Sequence, residues 1–178
     1  MDAVGVLIAP HGSFSLKPLL VNAEERGEPF ARASGLPAIP LSTRELSDLY
    51  MLGMGAYTPL TGFMGEADWR GCCRDMTLSD GLFWPIPITV SCDADTVQNI
   101  KVGQDVALFD PVAGEVVGQL TVEEIYSIDK NFECEHVFLT TDPAHPGVRK
   151  VLDQGEFNLA GPVKVFSEGH FPLTYAGL

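Results

Sequence analysis

Apolar positions recur at two spacings along this chain, and the change between them separates helical from strand-forming stretches. Leu46, Leu49, Tyr50 and Gly53 lie on one helical stripe. They follow Ser42-Thr43-Arg44-Glu45, a capping-box sequence in which the Ser hydroxyl and Glu carboxylate satisfy backbone amides at a helix start. Trp69, Cys72, Cys73 and Met76 stand at i, i+3, i+4 and i+7 and predict a second helix over Glu66–Met76. Residues 1–40 sustain no period. Pro10-His11-Gly12-Ser13, Lys17-Pro18, Glu28-Pro29 and Leu36-Pro37 interrupt it, leaving an irregular, wrapping arm with one short strand around Leu16–Val21.

Beyond residue 82 the pattern is that of strands. Phe83–Val90 is β-branched and aromatic, but Pro85 and Pro87 confine it to an edge or bulged strand. Asp93 is placed to cap a short helix running to Ile100. Asp105–Asp110 and Glu115–Tyr126 form a hairpin across Pro111-Val112-Ala113-Gly114, with Gly118 marking a bulge or a close backbone approach. A strand is expected at His136–Thr140, a helix at Pro146–Gln154 stopped by Gly155 as its C′ residue, and a last strand at Ala160–Phe166. Short, evenly spaced strands with small inserted helices predict a mainly β fold of the α+β kind. It is a compact β-barrel over 41–178, with 1–40 as its arm, in a single domain.

Composition narrows the function. The net charge of −13, with eleven scattered basic residues, excludes the dense cationic face that nucleic-acid binding requires and disfavours capture of polyphosphates or sulfate. The start, Met1-Asp2-Ala3-Val4, lacks the basic region of a signal peptide, and the apolar run Gly81–Cys92 is too short and proline-broken to span a membrane. Cys72, Cys73, Cys92 and Cys134 show no secreted-type disulfide spacing, so a reducing cytoplasm is the natural setting.

The most particular stretch, Gly53-Met54-Gly55-Ala56-Tyr57-Thr58-Pro59-Leu60-Thr61-Gly62-Phe63-Met64, carries no acid, no base and no nucleophile better than a threonine hydroxyl. It reads as architecture rather than phosphate cradle, because a cradle needs a strand–loop–helix context. Among His11, His136, His145 and His170 no pair has a local metal-ligand spacing. Glu123 and Glu124 are adjacent in a strand and face opposite sides, so they form no local dyad. His145, held before Pro146, either contacts a ligand or locks its own loop by a hydrogen bond; His11, between Pro10 and Gly12, is open to the same two readings. No catalytic, substrate-binding or metal residue is assigned.

The motifs, taken in order, resemble the amino-terminal domain of the ATP sulfurylase (sulfate adenylyltransferase) family. Pro10-His11-Gly12 is similar to its opening, although Ser13 stands where a second glycine is usual. Gly55–Met64, Leu78-Ser79-Asp80-Gly81, Trp84–Thr89, Val122–Tyr126, Thr141–Gly147, Gly161-Pro162-Val163 and Tyr175–Leu178 continue the resemblance over essentially the whole chain. It implies a PUA-like β-barrel and an enzyme of sulfur metabolism that transfers the adenylyl group of ATP to sulfate, with Mg, or runs the reverse reaction. It also implies that ATP and sulfate are held by a following catalytic domain with a Gln-Thr-Arg-Asn-Pro segment and a His-x-x-His pair, neither of which occurs here.

The expectation is therefore a non-catalytic, cytoplasmic domain, inactive alone and binding no cofactor itself. Its partner would be the downstream catalytic domain, with homo-oligomers also compatible, and without nucleic acid or membrane. Gly55, Pro59, Leu60, Gly62, Phe63 and His145 are its structural or interdomain loop candidates, Leu60 and Phe63 anchoring against the barrel or the next domain. The alternative is a stand-alone PUA-like binding or assembly module.

Overall fold

The computed structural model describes residues 8–167. The elements run α1 (Gly27–Ala33), β1 (Ala38–Pro40), α2 (Thr43–Gly53), β2 (Gly62–Phe63), α3 (Glu66–Asp75), β3 (Val90–Cys92) and α4 (Ala94–Val97). They continue with β4 (Asp105–Asp110), β5 (Glu115–Thr121), β6 (Glu124–Ser127), α5 (Lys130–Glu133), a π-helical turn (Cys134–Phe138), α6 (Pro146–Leu152) and β7 (Phe157–Val165).

The seven strands form one curled, mixed sheet in which β7 is the shared member. Its first half pairs antiparallel with β3 and with β6. Its second half pairs with β2 and with β5. The hairpin β4–β5 carries the sheet on to β1, which lies parallel to β4. Pro40 is tolerated there because β1 is an edge strand.

The hinge of this arrangement is Gly161, at φ +142°, whose Cβ would run into the Thr121 carbonyl. Only glycine lets the two halves of β7 meet different partners at that point. The same crease breaks the single strand expected over Glu115–Tyr126 into β5 and β6, with the Glu123 amide donating to the Ala160 carbonyl. The pairing of β4 with β5 shifts register at Leu108/Phe109, opposite Gly118. A Cβ on Gly118 would stand 2.9 Å from the Lys164 carbonyl oxygen, so both features read from that glycine, bulge and close approach, occur together.

The main core fills the concave side with residues such as Ile39, Leu52, Phe63, Ile88, Leu108 and Leu159. The capping box of α2 forms as expected, and its glutamate does more. Glu45 Oε2 accepts from the Ser42 amide at 2.8 Å, while its other oxygen accepts from the Ser91 amide at 2.8 Å and so ties the helix start to β3. A smaller cluster joins Trp69 and Cys73 of α3 to Tyr126 and Ala160 of the sheet.

Several expectations are corrected. His136–Thr140 is not a strand. Asp129 caps α5 by accepting from the Phe132 amide at 3.0 Å, and the chain winds on through the π-helical turn to Leu139, at φ 56°. The apolar run there serves helix packing, with Cys134 against Val148 and Val151 and with Phe138 beside them. Phe83–Val90 is almost entirely irregular, since Pro85 and Pro87 remove ladder donors; Phe83 makes one isolated antiparallel bridge to Thr77, and continuous pairing begins at Val90–Cys92. The helix at Pro146 ends at Leu152, before the expected Gln154. Gly155 is not its C′ stop but a point where the chain passes the Cys92 carbonyl, too close for a side chain. The described part of the arm, 8–40, is less irregular than expected, because it holds α1 and the sheet strand β1. The strand expected at Leu16–Val21 reduces to a single parallel bridge, Leu20 to Val165. Among the described residues no helix is long and apolar enough to cross a membrane.

Candidate functional site

The loop from Gly53 to Met64 is built from backbone contacts. Gly55, at φ +81°, leaves α2 where a Cβ would meet the Pro18 nitrogen at 3.0 Å, so the arm lies directly on the turn. The buried Thr58 hydroxyl donates to the Gly55 carbonyl at 2.7 Å and accepts from the Lys17 amide at 3.0 Å, joining arm to loop. The Thr58–Pro59 peptide is cis. Leu60 and Phe63 both turn inward and sit in the main core, at 9% and 3% exposure. Gly62 pairs with Pro162 of β7, and its Cβ would fall on the Gly161 carbonyl. The candidate anchors Leu60 and Phe63 therefore pack against this domain's own barrel.

The outer side of the loop forms one wall of a cleft of about 360 Å³. Pro59–Gly65 line it on one side and Ala160–Pro162 on another, with Asp68, Asp80, Glu123 and Glu124 supplying its charge. No Lys, Arg or His is in this lining. Three of the four carboxylates already serve the backbone: Asp68 accepts from the Ser79 amide at 2.8 Å, Asp80 from the Leu82 amide at 2.9 Å, and Glu124 from the Glu66 amide at 3.1 Å. A negatively charged hollow without a cation repels nucleotide phosphates and sulfate.

A second polar cluster sits where α2 meets the loop. Arg44 Nη1 lies 3.2 Å from Asp48 Oδ2, and the Tyr57 hydroxyl donates to Asp48 Oδ1 at 3.1 Å. Burial raises the Asp48 carboxyl above the usual aspartate range, with Arg44 and the Tyr57 hydrogen bond opposing it. The Tyr57 ring meets Trp84 edge-on at 5.9 Å, and burial with the Asp48 charge lifts its hydroxyl to about 12. That phenol stays protonated and donating at neutral pH. The cluster fastens the motif to the helix.

The described histidines, His11, His136 and His145, are occupied locally. His145 caps α6: its Nδ1 accepts from the Gly147 and Val148 amides at 3.2 and 3.4 Å, and its ring lies against Phe138. These bonds are to helix amides, not to a carbonyl, and His145 is not among the residues that line the cleft. His11 Nε2 donates to the Phe83 carbonyl at 2.7 Å. All four cysteines are buried and unbridged. Burial, helped by Glu133, lifts the Cys72 thiol to about 12, so it is no nucleophile. Among the described residues no group of three or more His, Cys, Asp or Glu is placed to hold a metal.

Two features were invisible in the sequence. Glu133 is buried with its Oε2 accepting from the indole of Trp69 at 2.9 Å, 64 residues away in the chain. Tyr126 donates to the Met64 carbonyl at 3.0 Å and accepts from Asn158, which fixes the far end of the motif to the sheet. Only their residue types, each combining an apolar body with a polar tip, could have hinted at such roles.

The model of the PUA-like domain family matches residues 8–168. The chain belongs to the PUA-like domain family. Within it, the chain is 54% identical over 173 residues to a sulfate adenylyltransferase of Chlorobium chlorochromatii and 53% identical to that of Chlorobaculum tepidum. These matches take in 97% of this chain but 43% of each relative. A sulfate adenylyltransferase of Psychrobacter cryohalolentis is 55% identical, with 95% of this chain and 41% of the relative covered. The chain thus spans well under half the length of the curated relatives it matches. Among solved structures, the hexameric APS kinase from Thiobacillus denitrificans superposes with a TM-score of 0.65 at 29% identity, over 89% of this chain and 27% of that one. The PUA-like barrel expected from the motif series is the fold observed.

Proposed function

We propose that this PUA-like chain is the amino-terminal, non-catalytic domain of a sulfate adenylyltransferase, acting in sulfur metabolism in the cytoplasm by supporting a catalytic domain elsewhere in the polypeptide. In that reaction a sulfate oxygen attacks the α-phosphorus of ATP and pyrophosphate leaves, giving adenosine 5′-phosphosulfate. The single observation that carries the reading is the pairing of about 54% identity across 97% of this chain with coverage of only 43% of the relative. The chemistry agrees with it. Adenylyl transfer rests on cations and amides that hold developing phosphate charge, whereas the cleft beside the motif offers carboxylates and no cation. ATP, sulfate and Mg belong on this reading to the catalytic portion, and Gly55, Pro59, Leu60, Gly62, Phe63 and His145 have structural roles.

The test is to incubate the purified 178-residue chain with ATP, sulfate and Mg and to follow pyrophosphate. No release above the blank is expected. Adding the remaining portion of the Chlorobaculum tepidum relative, made without its matching segment, should yield a stable complex with activity. Pyrophosphate release from the chain alone overturns the non-catalytic role, and failure to associate favours a stand-alone module. Homo-oligomers are part of the proposal, supported by the hexameric neighbour and by exposed Phe14, Leu16, Phe83 and Ile86 on the arm and the loop it touches. Sedimentation of the isolated chain tests this.

A further inference from the structure

Two mostly apolar hollows stand apart from the acidic cleft. One of about 780 Å³ runs along α2, walled by Leu46, Tyr50, Met51 and Met54. The other, about 360 Å³, lies where the arm meets the 82–86 loop and is lined by His11, Tyr57, Phe83, Trp84, Pro85 and Ile86. The smaller one includes a polar group with nothing to bind. Trp84 is buried, yet its indole Nε1 has no hydrogen-bond partner among the described residues. The indole of Trp69, by contrast, is satisfied by Glu133. An unpaired buried donor is costly until an acceptor reaches it.

Beside this hollow the arm presents a bare phenylalanine on a held segment. His11 donates to the Phe83 carbonyl at 2.7 Å, and the Lys17 amide donates to the Thr58 hydroxyl at 3.0 Å, so residues 11–17 are pinned at both ends. The Ser13 amide closes a turn onto the Pro10 carbonyl at 3.2 Å. Phe14, between the two ties, is fully exposed. A ring on a segment already held loses less freedom when it is covered, which suits it to anchor a contact.

We propose that this face joins two copies of the chain about a two-fold axis. Phe14 of each copy enters the hollow of the other, and a carbonyl of the entering arm supplies the acceptor that Trp84 Nε1 lacks. The inference rests on the homo-oligomer reading above and names its interface. Three observations support a second copy as the occupant. Ring and hollow are neighbours: Phe14 is three residues from His11, within ~10 Å along the chain, so one axis between them serves both contacts, as an isologous interface requires. The area is sufficient. Besides Phe14, Leu16 is 61% exposed, Phe83 55% and Ile86 47%. At ~150–250 Å² for a whole aromatic side chain, the four present roughly 500 Å² of apolar surface per copy. A standard interface takes ~800 Å² from each partner, about 60% of it apolar, which is the same amount. Charge permits the contact as well. Two copies at −13 repel wherever carboxylates meet. Although 24 of the 178 residues are acidic, residues 10–17 and 82–86 contain no Asp or Glu.

The experiment uses the full 178-residue chain with isotope-labelled tryptophan, diluted through its dimer-to-monomer transition and followed by sedimentation and NMR. The Trp84 indole N–H signal, assigned with Trp84→Phe, should move on dilution and exchange roughly tenfold faster in the monomer, while that of Trp69 stays in place. Phe14→Asp and Ile86→Asp should each raise the dimer dissociation constant about tenfold or more at unchanged circular dichroism. Met54→Asp, in the α2 groove, should leave it unchanged. Added salt should tighten the dimer by screening like charge. A chain that sediments as a monomer at every concentration overturns this inference together with the homo-oligomer reading. A dimer that survives both aspartate substitutions, keeps its Trp84 signal on dilution or weakens with salt overturns this interface alone.

Discussion

Two hollows among the described residues, one at each end of the Gly53–Met64 motif, are built in opposite ways. The cleft by Gly62 is made of backbone. Its shape comes from glycines that let β2 and β7 touch, and its charge from carboxylates that already hold amides. The groove along α2 is made of side chains, whose apolar ends are left facing outward. A surface fixed by the main chain tolerates almost no change at its glycines, whereas one formed by flexible side chains can be rewritten with little effect on folding.

The sharpest way to break that contrast is Gly62→Ala. The new methyl would lie on the Gly161 carbonyl, so a loss of about 3 kcal/mol or more is expected in urea unfolding. Gly81→Ala, with positive φ but open space around it, should lose only about 1–2 kcal/mol. Equal losses would show that the close approach is not what shapes the cleft.

A pH measurement sharpens the comparison for carboxylates. Burial raises the Glu133 carboxyl above the usual glutamate range, with its Trp69 hydrogen bond opposing. The folded chain therefore keeps that proton to higher pH than the unfolded chain does. The contribution is whole at low pH and is lost as pH rises through the folded pKa. Glu133→Gln, which still accepts from Trp69, should gain about 1 kcal/mol at pH 7 and nothing below about pH 4. Thermal unfolding across that interval is the check.

Glu124→Ala should cost about 1 kcal/mol in the same unfolding experiment, because its carboxylate holds the Glu66 amide in the first turn of α3. The smallest effect is expected in the groove. Met54→Asp, at an exposed position, should change stability by no more than about 0.5 kcal/mol.

Much of the fold was legible where local chemistry decides structure. Ser42 and Glu45 announced α2, Asp93 announced α4 by accepting from the Thr96 amide at 2.7 Å, and Gly118 announced the bulge. The misreadings arose where tertiary context decides. Val137 and Phe138 look like a strand until Asp129 is seen starting a helix ahead of them, and Gly155 looks like a helix stop until Cys92 is seen beside it. The site was half legible. The Gly53–Met64 motif stood out by composition, but its tie to Asp48 and its place over an acidic cleft depend on pairings between distant segments that no local pattern encodes.

One consequence concerns the order in which the chain is made. β7, the partner of β2, β3, β5 and β6, is the last strand among the described residues. During synthesis those four wait without their common neighbour until residues 157–165 have left the ribosome, with unpaired edges and core side chains such as Phe63 and Leu120 uncovered. A nascent chain stalled before Phe157 should be caught by chaperones that recognise exposed strands, and release past Val165 should end that capture in one step.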